Sequence, residues 1–263
     1  MTENRHTVRA SLVLTYIVLS ACGSGDSGGQ QPPSSGQGPQ LIDVMHPEPT
    51  SRNATMRMFG KPFAGDYPLQ NYFDHDRPVA PNDSNGYQLN WQGARAYPGR
   101  DIPGYDGHTG FDWALPQGTP VLAVTGSRVV FAGNTTPAPC FLQNNEVVSS
   151  LIVIIGFTAP DGHSYSVAYN HLDHIDVVAN ERVVEGQQLG LSGATGCVGR
   201  LNGRPSAHLH FQVSKVLDAA AGKVVPVDPY GWEGPGADPW ATHVDGAVSQ
   251  WFWKEGQAPN LVR

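Results

Sequence analysis

Three observations predict an all-β domain with long loops. Gly (31) and Pro (22) make up about a fifth of the 263 residues, against roughly an eighth in average proteins. Charged residues are only 15%, which leaves little material for long solvated helices. Several segments alternate apolar and polar residues or run continuously β-branched, while none carries a convincing 3.6-residue period.

Residues 1–22 read as a signal peptide. Arg5 and Arg9 supply a basic start, and Leu12 to Leu19 is an apolar run too short to span a membrane as a helix. Leu19-Ser20-Ala21-Cys22 resembles a bacterial lipobox, which makes Cys22 the lipidated residue and anchors the mature chain to a membrane. Residues 23–40 hold almost no apolar side chain to bury and read as a flexible linker. A dinucleotide-like glycine pattern and a Gly-Asp-Ser-Gly-Gly segment occur there, but no strand or catalytic domain precedes them. About 220 residues remain, enough for one β-rich domain. With no internal repeat or second linker, 41–263 reads as one domain with an N-terminal segment and an aromatic-rich C-terminal extension.

Strands are expected near Tyr67–Phe73 and along Pro120–Ala132 with a break at Gly126. Further ones are expected at Ser150–Phe157, Ser164–His171, Gln188–Leu191 and Ala207–Ser214. SLIVIIGF (150–157) has the continuous apolar character of a buried strand. In Ser164–His171, alternation puts Tyr165, Val167, Tyr169 and His171 on one face. In Ala207–Ser214 it separates His208, His210 and Gln212 from core-facing Leu209, Phe211 and Val213. The aromatics after Val213, among them Tyr230, Trp232, Trp240, Trp251, Phe252 and Trp253, read as packing residues rather than a sugar platform.

The formal net charge of −7 argues against a nucleic-acid footprint. Of three cysteines, Cys22 stands apart, and Cys140 and Cys197 pair as a disulfide in an oxidising compartment. Ten histidines are many for this length. His208-Leu-His210 and His108-Thr-Gly-Phe-Asp112 together offer His108, Asp112 and His210, a three-ligand nitrogen and oxygen set of the kind catalytic zinc sites use. His46, His75, His163, His174 and His243 match no ligand motif and read as loop or surface residues. There is no His-Glu-x-x-His, no Gly-x-Ser-x-Gly and no CxxC.

These motifs, in order, resemble those of the lysostaphin-like (LytM-type, M23) metallopeptidases. The resemblance rests on His108-Thr-Gly110-Phe-Asp112, Pro116-Gln-Gly118-Thr-Pro120-Val121, Tyr169-Asn-His171-Leu172, the glycine-rich stretch from Gly186 to Gly196, and His208-Leu-His210-Phe211. It covers roughly residues 60–215. It implies antiparallel sheets of the duplicated-hybrid-motif type around a groove, one zinc per chain on His108, Asp112 and His210, and His171 and His208 as catalytic histidines. His208 is the first choice for general base, with His171 bonding the water or the oxyanion, although the two roles could be exchanged. The implied activity is endopeptidase action on peptidoglycan cross-links or stem peptides by an exported, membrane-anchored, monomeric enzyme. A non-catalytic envelope regulator of cell-wall amidases and a secreted protease of glycine-rich proteins are the alternatives. The chain departs from the family pattern by an insertion from Cys197 to Ala207 and a long loop over 134–148 that carries Cys140. Arg200 and Arg204, in the insertion, read as solvated charge, with contact to wall carboxylates as the second reading.

Overall fold

The strand of continuous apolar residues, Leu151–Thr158, lies deep in the sheet because both of its faces and both of its edges are covered. Ser127–Asn134 pairs along one edge and Ser164–Asn170 along the other, both antiparallel. The computed structural model describes residues 56–78, 87–96, 106–201, 203–243 and 249–261. The expected signal peptide, Cys22, the linker and His46 lie outside the described residues. The main sheet runs in the order Leu69–Asn71, Phe111–Trp113, Leu209–Asp218, Ser164–Asn170, Leu151–Thr158, Ser127–Asn134, Arg182–Val183, and Lys223–Val227 also pairs with Leu209–Asp218. A smaller sheet of Leu172–Ile175, Gln188–Ser192 and Pro120–Leu122 adds Val121, Leu172 and Leu189 to the same core. Among the described residues the one α-helix is Pro239–His243.

The predicted segment 120–132 divides at Gly126, its halves joining different sheets. The segment predicted at 207–214 starts its strand at Leu209 and continues to Asp218. Leu209, Phe211 and Val213 are buried in the core.

His171 departs from the expected alternation. The strand ends at Asn170, and His171 takes a left-handed backbone with φ 64°. That conformation is uncommon for a side chain bearing Cβ. It turns the imidazole away from the core face occupied by Tyr165, Val167 and Tyr169.

Aromatic residues from the two ends of the described chain close the core. Phe59 stacks on Phe252 at 4.9 Å between ring centroids, and Trp253 stacks on Phe211 at 5.8 Å. The amides of Met58 and Phe59 both donate to the Phe252 carbonyl, and that of Lys254 donates to the Phe59 carbonyl. Tyr230, Trp240, Trp251, Phe252 and Trp253 are all buried. Burying one such side chain stabilises the fold by about 1.5–3 kcal/mol.

His75, expected at the surface, is fully buried. Its Nε2 lies 2.8 Å from Asp228 Oδ2 and its Nδ1 3.0 Å from Asp238 Oδ1. Both partners are more than 150 residues away in sequence, so no local pattern marks the contact. Burial opposes a charge on this ring, but the two carboxylates outweigh it and raise the pKa to about 9. The folded pKa stands above the unfolded value of about 6.5. The stabilisation is therefore complete below pH 6.5 and disappears as pH rises through about 9. Urea unfolding at pH 6 and at pH 9.5 should show a loss of about 3 kcal/mol from this group, and the His75→Gln variant should lose that increment of pH dependence.

Candidate metal centre and its histidine pair

Four strands laid side by side put Asn71 opposite Asp112, Asp112 opposite His210, and His210 opposite Asn170. Directly opposed residues share a face of a sheet, so these polar side chains form one row. The segment carrying Asp112 comes very close to the neighbouring strand: a Cβ at Gly110 would stand 2.3 Å from the Phe211 carbonyl oxygen. Only glycine fits there, which accounts for the central residue of His108-Thr-Gly110-Phe-Asp112.

His108, Asp112 and His210 are buried, and one ligand atom from each lies within 4.8 Å of the others. His108 Nε2 is 3.1 Å from His210 Nδ1, and His210 Nδ1 is 2.8 Å from Asp112 Oδ1. His108 Nδ1 lies 2.9 Å from the Tyr72 carbonyl oxygen. That oxygen can only accept, so Nδ1 carries the proton and Nε2 turns its lone pair toward the cluster. Asp112 Oδ2 accepts from Asn71 Nδ2 at 2.7 Å. Two imidazoles, one carboxylate and a fixed tautomer make a donor set that fits a divalent metal ion.

Burial works against charge on Asp112, yet His108 and His208 hold its carboxyl well below the usual carboxylate range. Burial also lowers His108, but the Asp112 charge and hydrogen bond outweigh it, and the net direction is up. Burial is dominant at His210 and keeps its pKa down, with Asp112 opposing.

His171 and His208 stand beside this cluster with ring centroids 4.5 Å apart. His171 Nδ1 is 2.7 Å from the Thr195 carbonyl oxygen, and its backbone N–H donates to Ser150 Oγ. His208 Nδ1 is 2.9 Å from the Ser206 carbonyl oxygen. In the neutral form of each ring the proton therefore sits on Nδ1, and Nε2 is an acceptor. Burial, followed by His208 and His210, pushes His171 well below its ordinary pKa. It is a neutral base at pH 7.

The segment that orients His171 is held from several sides. Thr195 Oγ1 accepts from the Leu151 amide and donates to the Leu172 carbonyl. Gln143 Nε2 donates to the carbonyls of Gly196 and Val198. Cys140 and Cys197 are bonded, with Cα atoms 5.1 Å apart. Arg200 and Arg204 are exposed on a two-stranded hairpin in the insertion.

Sequence reasoning missed Asn71, Ser150, Thr195 and Ser206, as well as the Tyr72 carbonyl. Asn170 was also missed; its buried Oδ1 has no protein partner. None belongs to a ligand motif, and three of them, Tyr72, Thr195 and Ser206, act through backbone carbonyls.

Residues 106–229 match the family model of Peptidase family M23. The chain is 32% identical over 120 residues to the cell division protein DipM of Caulobacter vibrioides, covering 46% of this chain and 16% of that protein. It is 33% identical over 106 residues to the peptidoglycan DD-endopeptidase ShyA of Vibrio cholerae, covering 40% and 20%. The glycyl-glycine endopeptidase ALE-1 of Staphylococcus capitis is 34% identical over 105 residues, covering 40% and 24%. The match thus spans a quarter or less of these relatives' own length.

The disulfide closes a sequence separation of 57 residues, worth about 4 kcal/mol in the chain-entropy model. Replacing both cysteines (Cys140→Ala with Cys197→Ala) should lower stability by about 2–4 kcal/mol. Amide hydrogen exchange should quicken most in 193–198, the segment that carries the acceptor of His171.

Proposed function

We propose, from the match of residues 106–229 to the model of Peptidase family M23, that the chain is a zinc-dependent endopeptidase hydrolysing peptide cross-links or stem peptides of peptidoglycan. The observation that carries this reading is the convergence of the His108, Asp112 and His210 ligand atoms within 4.8 Å, beside two further imidazoles that are free at Nε2 to take up a proton. The substrate class rests on ShyA and ShyB of Vibrio cholerae, both named peptidoglycan DD-endopeptidases.

His108 Nε2, one Asp112 oxygen and His210 Nδ1 would hold the zinc. When bound, zinc supplies a Lewis acid that polarises a peptide carbonyl and acidifies water. The rest falls to the chain's own residues. Thr195 fixes the His171 ring through Nδ1–H, so Nε2 accepts a proton from the attacking water. Thus protonated, His171 returns that proton from Nε2 to the leaving amine, and His208, fixed in the same way by Ser206, presents its Nε2 beside it to accept a hydrogen bond from the water. This gives the base role to His171, the exchange of roles that the sequence left open, because burial holds that ring in its neutral form. A regulator without catalysis would not need this constellation, whose five residues are all present.

Residues 1–22 act, in this reading, as a lipoprotein signal, and Cys22 carries the lipid that holds the enzyme at the extracytoplasmic face of a membrane. The same export favours the Cys140–Cys197 bond.

Purified peptidoglycan incubated with the zinc-loaded protein should release new amines and carboxyls in equal number, and mass spectrometry of the fragments identifies the bond. A chelator and the His210→Ala change should each abolish release. His171→Ala should keep the metal and lower kcat by about 10²–10⁴-fold. Intact peptidoglycan despite stoichiometric zinc would sink the catalytic reading in favour of the regulator. In cell fractionation, the wild type should sediment with membranes and Cys22→Ala should be lost from them; identical distributions would refute the anchor.

A further inference from the structure

A buried carboxylate needs donors on both oxygens, and the four nearest Asp112 do not all remain available once a metal is held. On Oδ1 stand His210 Nδ1 at 2.8 Å and His208 Nε2 at 3.9 Å. On Oδ2 stand His108 Nε2 at 3.2 Å and Asn71 Nδ2 at 2.7 Å. Both His108 Nε2 and His210 Nδ1 must lose any proton to act as ligands, and can then donate nothing to Asp112. Of the four, Asn71 Nδ2 stands closest, at 2.7 Å, and its amide donates whatever the protonation of the rings around it.

Asn71 also sits where asparagine is otherwise a poor choice. It lies in a strand, Leu69–Asn71, and asparagine is depleted in strands. Its neighbours serve the other ligand. The Tyr72 carbonyl fixes the His108 tautomer, the Asp74 amide donates to the His108 carbonyl, and the Asp74 carboxylate accepts from the Gly107 amide at 2.9 Å. Residues 71–74 therefore touch two of the three ligand side chains from outside the family match, which begins at residue 106.

We infer that Asn71 is a positioning residue of the metal centre: its amide occupies Asp112 Oδ2 and leaves Oδ1 to the ion. The inference rests on the zinc reading above, and its test separates the two. The full chain in detergent is stripped of metal, and its zinc Kd is measured by competition with a chromogenic chelator. Asn71→Leu keeps volume and removes the donor; Asn71→Ala removes both, and Asn71→Gln keeps the donor. Apo-protein melting and the visible spectrum of the cobalt-loaded forms are recorded in parallel. Leu and Ala should weaken zinc binding by about 10–100-fold and change the cobalt spectrum, with apo melting little altered. Gln should recover part of the affinity. Equal Kd and equal spectra across the series would overturn the role, as would faster turnover of Asn71→Ala at unchanged affinity, which would mean that Asn71 obstructs the site. Should Leu alone fail to fold, Ala and Gln carry the comparison. A wild-type chain that binds no zinc would instead fail the zinc reading, and this inference with it.

Discussion

The pairing of Asp112 with His210 across adjacent strands is the contact on which the rest of the site depends. It sets a carboxylate against an imidazole at 2.8 Å with both side chains buried. Such a pair is expensive unless every lone pair and proton finds a partner. The approach is possible only because Gly110 has no side chain to meet the Phe211 carbonyl. Everything added around the pair, from the Tyr72 carbonyl on His108 to the Asn71 amide on Asp112, offsets part of that desolvation. The same donors fix the direction in which each lone pair points.

Rigidity comes from two different sources on the two sides of the centre. The Asp112–His210 side is held by sheet register, and its strands continue into a core of aromatic rings contributed by both ends of the described chain. On the His171 side, the ring leaves its strand in a left-handed conformation and depends on the 193–198 segment for orientation. A disulfide, a glutamine side chain and a threonine hydroxyl hold that segment. Crosslinks and side-chain hydrogen bonds there do what the ladder does elsewhere.

The long strands of the main sheet and the five histidine and aspartate positions were legible in the sequence, because alternation and short motifs are local signals. The Leu209–Asp218 strand shows this well: two histidines two apart had to share a face, and Leu209 and Phe211 had to face the core. What was not legible depends on distant pairing or on backbone atoms. His75 carries no motif, and its partners Asp228 and Asp238 lie far along the chain, so its environment read as surface. Alternation carried His171 one residue too far, because a positive φ leaves no trace in hydrophobic pattern. Thr195 and Ser206 act through carbonyls, which every residue possesses.

The wrapping of the matched region by its flanks bears on how such domains can be moved between proteins. A gene segment encoding only 106–229 would deliver His108, Asp112 and His210 to a new host. It would not bring the carbonyl that orients His108 or the amide that steadies Asp112. It would also leave behind Phe59, Phe252 and Trp253, exposing the apolar surface they cover. Recombination that respects the boundaries of sequence similarity would thus produce a chain with the right signature and an ill-formed centre. The unit that builds this cluster is longer than the stretch that matches the family model.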